Sequence, residues 1–276
     1  MSRYKSQIYL GNIQDKIHIR IIECISLENL MKNSNIQQKY KIEKFSTVQY
    51  LMSENTLWFY LSNSTAGTIF QFALHLAHMM QIMIAKYNIY ILHGGCICNP
   101  SGEKATILFG DSGQGKSSII LYMAYFHNYK IITDDVLIVN NSSSHNVIEK
   151  NVRSIGIDEV DLETKYKNLS QYIERSPFEK KVRLNYEMYD SNAYSASIVP
   201  EQIVFLGERY EAAKINKLNR INSIMLLLKL HGYYGKDLPL FIKGFESLLK
   251  TCKTFILNTS YDITKTTDCL ISNCFI

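Results

Sequence analysis

"ILFGDSGQGKSSII", residues 107–120, decides how this chain is read. One apolar run meets a glycine-rich turn, and a lysine and two serines open a second. Gly110, Asp111, Ser112, Gly113, Gln114, Gly115, Lys116 and Ser117 fit the pattern G-x-x-x-x-G-K-[ST] in full. Glycines let successive backbone N–H groups converge on phosphate oxygens, and the positive end of the following helix adds to their pull. Such a cradle needs a strand before it and a helix after it. "KATILFG" (104–110) and "KSSIILYMAYFHN" (116–128) have those patterns. In that setting Lys116 reaches the β- and γ-phosphates of a nucleotide, Ser117 ligates Mg²⁺, and Ser118 continues the anion-binding turn.

A phosphate cradle serves hydrolysis, transfer and sensing alike. The next apolar segment, "KIITDDV" (130–136), ends in two carboxylates, Asp134 and Asp135, where a metal ligand is needed beside the cradle. Adjacent strand residues point to opposite sides, so the two aspartates divide the work. One holds metal while the other faces an acceptor hydroxyl as general base. The plainer reading is an aspartate that only caps a turn.

The rest of the chain fits that picture. Its 276 residues are enough for one large domain or two modest ones, with 46% hydrophobic and 20% charged residues. The formal charge of +5 is spread along the sequence. That suits an acidic ligand such as a nucleotide and lacks the dense basic stripe of a nucleic-acid binder. The six cysteines have no zinc-site spacing, and Cys96 and Cys98 share one face of a strand, as buried small hydrophobes do. The opening "MSRYKSQIYLGN" has no apolar signal core, so a cytoplasmic location is expected.

Residues 1–65 alternate in "KIHIRIIEC" (16–24) and "TLWFYLS" (56–62), which predicts a β-rich region. In "AGTIFQFALHLAHMMQIMIA" (66–85), Gln71, His75, His78 and Gln81 share one helical face. An amphipathic helix is expected there, not a membrane span, and His75 and His78 form a polar rim, not a metal site. "IYILHGGCICNP" (89–100) reads as one strand ending in a turn. "EQIVFLGE" (201–208) and "TFILNTS" (254–260) read as strands, and "NSIMLLLKLHGY" (222–233) and "KGFESLLKTC" (243–252) as helices. Residues 158–195 carry few periodic signals. Strands alternating with helices around a glycine turn predict an α/β core over residues 89–276, after an N-terminal region over 1–88.

The run from Leu92 to Val139 resembles the catalytic core of HPr kinase/phosphorylase and its relatives. The resemblance implies a P-loop core of the phosphoenolpyruvate carboxykinase type. It is carried by Leu92-His93-Gly94, by the cradle, by Thr133-Asp134-Asp135 and by "VRSIGI" (152–157). "PEQIVFLGE" (200–208) and "LLKTCKTFILNTSYD" (248–262) look like the ends of HPr-kinase-related proteins from peptide-modification gene clusters. It implies ATP and Mg²⁺ as cofactors, with Asp134 as the base, Asp135 as the metal-side carboxylate, and His93 orienting the base. Arg153 would stabilise charge on the transferring phosphoryl group.

The chain departs from that family at three positions. Ser118 stands where the family has glutamate after the lysine-serine pair, Asn151 where it has another glutamate, and Ser154 where it has glycine. The first 85 residues also do not resemble the family's N-terminal domain. What remains implied is the forward, ATP-dependent reaction.

The expected activity is therefore phosphorylation of a serine-type hydroxyl on a peptide or small protein, as in the tailoring of a ribosomally made peptide. A small-molecule kinase acting on an amino acid and a non-catalytic ATP-binding regulator are the alternatives. Lys180, Lys181 and Arg183 form either a patch for an acidic group on the acceptor or a solvated charge run. Oligomeric state is left open.

Overall fold

The alternating stretches of the N-terminal region are strands. The structure, a computed structural model, describes residues 88–141, 146–149, 154–174, 182–185, 198–231 and 238–274, the helical Gln81, Ile84 and Ala85, and the backbone of five strands before residue 62. The chain divides into two units, Met1–Tyr87 and Asn88–Ile276. In the first, strands β1 (Arg3–Ile8), β2 (Ile17–Glu23), β3 (Lys41–Phe45), β4 (Val48–Met52) and β5 (Thr56–Leu61) form one sheet in the order β1-β2-β5-β4-β3. Strands β2 and β5 run parallel, and the other pairs are antiparallel. The helix expected over 66–85 lies largely outside the described residues, and His75 and His78 lie wholly outside them.

The second unit is a mixed α/β structure with several sheets. It opens with β6 (Ile89–His93), β7 (Gly95–Cys98), β8 (Ala105–Phe109) and helix α1 (Lys116–His127). Next come β9 (Lys130–Thr133), β10 (Val136–Asn140), β11 (Val147–Glu149), β12 (Ser154–Ile157), α2 (Glu159–Lys165), β13 (Ile173–Glu174) and β14 (Val182–Asn185). The chain continues through β15 (Pro200–Tyr210), β16 (Lys214–Lys217), α3 (Arg220–His231), α4 (Leu238–Thr251), β17 (Lys253–Ser260) and α5 (Ile263–Cys274).

The main sheet has the order β16-β17-β15-β8-β7-β9. Its centre is parallel, with β15 between β8 and β17. These three strands therefore end on the same edge, where open α/β sheets bind their ligands. One face of this sheet packs against α1: Ile97, Leu108, Val204 and Leu257 from the sheet, and Ile119 and Ile120 from the helix, are each at most 1% exposed. Each such burial contributes about 2 kcal/mol.

One expectation is corrected here. Residues 89–100 are not one strand but two in different sheets, since β6 pairs with β10 while β7 pairs with β8 and β9. The break falls at Gly94-Gly95. A Cβ on Gly95 would collide with the Ile120 side chain and lie 3.3 Å from the Thr133 carbonyl, so only glycine lets α1 approach. The partner ribbon breaks at the matching place, Asp134-Asp135, between β9 and β10. The Gly94 N–H donates to the Asp135 carbonyl at 3.2 Å, tying the two breaks together. Both ribbons leave the main sheet there, with β6 and β10 joining β11 in a second sheet. Cys96 and Cys98 are fully buried.

Candidate functional site

The turn between β8 and α1 holds its shape through two left-handed glycines. Gly113 has φ 87° and Gly115 φ 92°, values that side-chain-bearing residues rarely adopt. Gln114 folds back so that its Oε1 accepts the Asp111 N–H at 2.6 Å, which fixes the loop from within. Helix α1 then starts directly at Lys116, so its first N–H groups face the turn.

Lys116 is 7% exposed. Its ammonium donates to the carbonyls of Gly110 at 2.6 Å and Asp111 at 3.2 Å, arching over the loop's own backbone. A buried cation held by two carbonyls is ready to exchange them for phosphate oxygens, which are stronger acceptors.

The two aspartates occupy opposite environments. Asp134 is 8% exposed and accepts a hydrogen bond from the Ser117 hydroxyl at 3.1 Å. Burial raises its pKa to about 6, with the Ser117 hydrogen bond, Lys116 and Arg183 pulling it back and Asp135 adding to the rise. Asp135 is side-chain exposed by 56% and has φ 78°, an uncommon backbone state for a residue with a side chain. The His93 hydrogen bond holds its carboxyl below the usual range, against partial burial and with help from the charges of His93, Arg183 and Lys116. His93 Nδ1 lies 3.0 Å from Asp135 Oδ1 and 3.1 Å from the Asp135 carbonyl. Both partners are acceptors, so Nδ1 carries the hydrogen.

These groups line one pocket of about 470 Å³ that runs from the cradle to the broken ribbons. It brings together His93, Lys116, Ser117, Asp134 and Asp135, with Ser112, Gly113, Gly115 and Ser118 along its floor. Arg153 lies outside the described residues, as do Asn151, Lys180 and Lys181. Arg183, by contrast, enters this pocket. It sits on β14 opposite Gly156 of β12, and its charge reaches both aspartates.

Arg209 also lines the pocket, though no motif marks it in the sequence. It stands near the end of β15, beyond a register shift between Leu206 and Arg209, next to the strand that leads into the cradle. The missing signal is long-range: only parallel pairing of β15 with β8 brings Arg209 beside Gly115.

Among the described residues, no three His, Cys, Asp or Glu side chains gather as a metal site. The Ser117 hydroxyl and the Asp134 carboxylate are a pair of hard oxygen donors, the set Mg²⁺ takes together with phosphate and water oxygens. They fit that ion. Among the described residues no helix is long and apolar enough to cross a membrane.

No protein-family model matches the chain, and no curated protein matches it. Among solved structures, the Hpr(Ser) kinase/phosphatase from Coxiella burnetii is similar at 11% identity and a TM-score of 0.31, over 43% of this chain. The match spans 65% of that chain's length. So partial a likeness carries no weight for function.

Proposed function

We propose that this protein is an ATP-dependent kinase that phosphorylates a serine-type hydroxyl on a peptide or small protein. The observation that carries this reading is the division of labour between Asp134 and Asp135. A nucleotide sensor needs the cradle and a metal-side carboxylate. It does not need a second carboxylate, open to solvent and buttressed by a histidine, at the lip of the same pocket.

The geometry favours assigning the two aspartates the other way round from the family resemblance. Asp134, buried and bonded to Ser117, is suited to the metal side, and Asp135, exposed and bonded to His93, to the acceptor side. Mg²⁺, when bound, neutralises charge on the β- and γ-phosphates. Asp135 takes the proton of the acceptor hydroxyl as the new O–P bond forms and the bond from the γ-phosphorus to the β-bridging oxygen breaks, leaving ADP. His93 Nδ1–H keeps that carboxylate oriented. Lys116 and Arg183 offset negative charge on the transferring group. Arg153, which lies outside the described residues, is proposed to share this role, as the resemblance implies.

The exposure of His93 and Asp135, 46% and 56% of their side chains, favours a chain-like acceptor over an enclosed metabolite. The test is to incubate the protein with γ-labelled ATP, Mg²⁺ and serine-containing peptides. Labelled phosphopeptide formed by the wild type and lost in Lys116→Ala supports the reading. No phosphopeptide from either protein refutes it.

A further inference from the structure

A second pocket, of about 190 Å³, adjoins the first on the far side of the cradle and shares Gly115, Ser118 and Arg209 with it. We infer that this second pocket holds the nucleoside end of the bound triphosphate, with the base lying on Tyr261. The inference rests on the proposed reading of the cradle as a nucleoside triphosphate site.

The order of residues along α1 sets the direction. Ser117 faces Asp134, so the metal and the outer phosphates belong to the first pocket. Ser118, one residue on, opens into both pockets. A triphosphate seated with its reactive end toward Asp135 therefore runs past Gly115 and Ser118, and its remaining part emerges in the second pocket. The parallel strands supply the walls. Arg209 comes from the end of β15, Thr259 and Ser260 from the end of β17, and Tyr261 from the residue just after it.

Three features there suit a nucleoside. The Arg209 guanidinium stands 5.9 Å from the centre of the Tyr261 ring and 3.7 Å from where a Cβ on Gly115 would sit. It is thus placed to meet an anion on the cradle at one end and the π-face of Tyr261 at the other. Tyr261 is 76% exposed and lines the pocket, so most of the surface of this large aromatic side chain is free to meet a base. Asp161 and Lys165 of α2, ion-paired at 2.9 Å, line the same pocket and offer a carboxylate to ribose hydroxyls. A base held by its face is read weakly by sequence of atoms on its edge, so the ligand class is a nucleoside triphosphate with modest base preference.

The experiment compares binding of Mg²⁺-ATP and Mg²⁺-tripolyphosphate by calorimetry to the full chain, in wild type, Tyr261→Ala, Tyr261→Phe and Lys116→Ala. Because Tyr261 is exposed, its substitution leaves the core untouched. The expected result is ATP affinity about ten-fold weaker in Tyr261→Ala, restored in Tyr261→Phe, with tripolyphosphate affinity unchanged in both. Unchanged ATP affinity in Tyr261→Ala, or an equal loss for both ligands, overturns the nucleoside pocket while the cradle stands. If the wild type binds neither ligand, or Lys116→Ala weakens neither, the cradle reading fails and the inference falls with it.

Discussion

Ser117 and Asp134, seventeen residues apart, meet at 3.1 Å across the start of α1 and the end of β9. The contact joins the glycine-rich turn to the carboxylate pair. It makes a hydroxyl and a carboxylate into one oxygen-donor pair, so each should matter to metal use more than to the fold. Ser117→Ala is expected to raise the Mg²⁺ concentration needed for half-maximal activity about ten-fold. Titration of phosphotransfer against Mg²⁺ measures this, and an unchanged midpoint contradicts it.

Asp134 holds its charge at a cost to the metal-free protein. Its folded pKa, about 6, lies above the ordinary 3.8, so the protonated form is favoured on folding. The stabilisation from that proton is complete below pH 4 and is lost as pH rises through 6. At pH 8 the ionised, desolvated carboxylate costs up to about 3 kcal/mol. Metal-free Asp134→Asn is therefore expected to melt several degrees higher than wild type at pH 8, and close to it at pH 4. Its phosphotransfer should nonetheless fall at least about a hundred-fold. Melting curves at the two pH values, with and without Mg²⁺, check both halves.

On the proposed reading His93 acts through Asp135, which it touches at 3.0 Å. Removing it in His93→Ala takes away the main influence that lowers the Asp135 pKa, so that pKa rises. Less of the carboxylate is then ionised at low pH, and the acid limb of the kcat profile moves to higher pH. The rate at neutral pH should fall about ten- to a hundred-fold, with the KM for ATP nearly unchanged. A variant that shifts KM and leaves the acid limb in place would count against this role.

Arg183 reaches both aspartates from β14, and its side chain lines the pocket. Arg183→Ala is expected to lower kcat by about a hundred-fold, with Arg183→Lys recovering only part, because a planar guanidinium meets phosphoryl oxygens better than an ammonium. Steady-state kinetics on both variants decides it.

What could be read from the sequence was local. The cradle, α1 and the strand carrying the Asp pair each follow from a few neighbouring residues, because glycine turns, apolar periodicity and strand ends are short-range features. The break at Gly94-Gly95 was hidden, since it depends on Ile120 and Thr133 closing in from elsewhere. Strand β16 and helix α5 gave no clear pattern against their surroundings. Arg209 and Tyr261 carry no motif, and only the parallel order of β8, β15 and β17 makes them neighbours of the cradle. Arg183 was visible as part of a basic run, but not as a residue turned toward the aspartates.

The central claim is that Asp135 activates an acceptor for phosphoryl transfer from ATP. It is tested most directly by mass-spectrometric detection of phosphoserine on a peptide array, alongside ATP binding, in wild type and Asp135→Asn. Phosphopeptide from the wild type, none from Asp135→Asn, and equal ATP affinity in the two is the expected result. Equal phosphorylation by both proteins, or ATP binding by the wild type with no peptide modified, would contradict it.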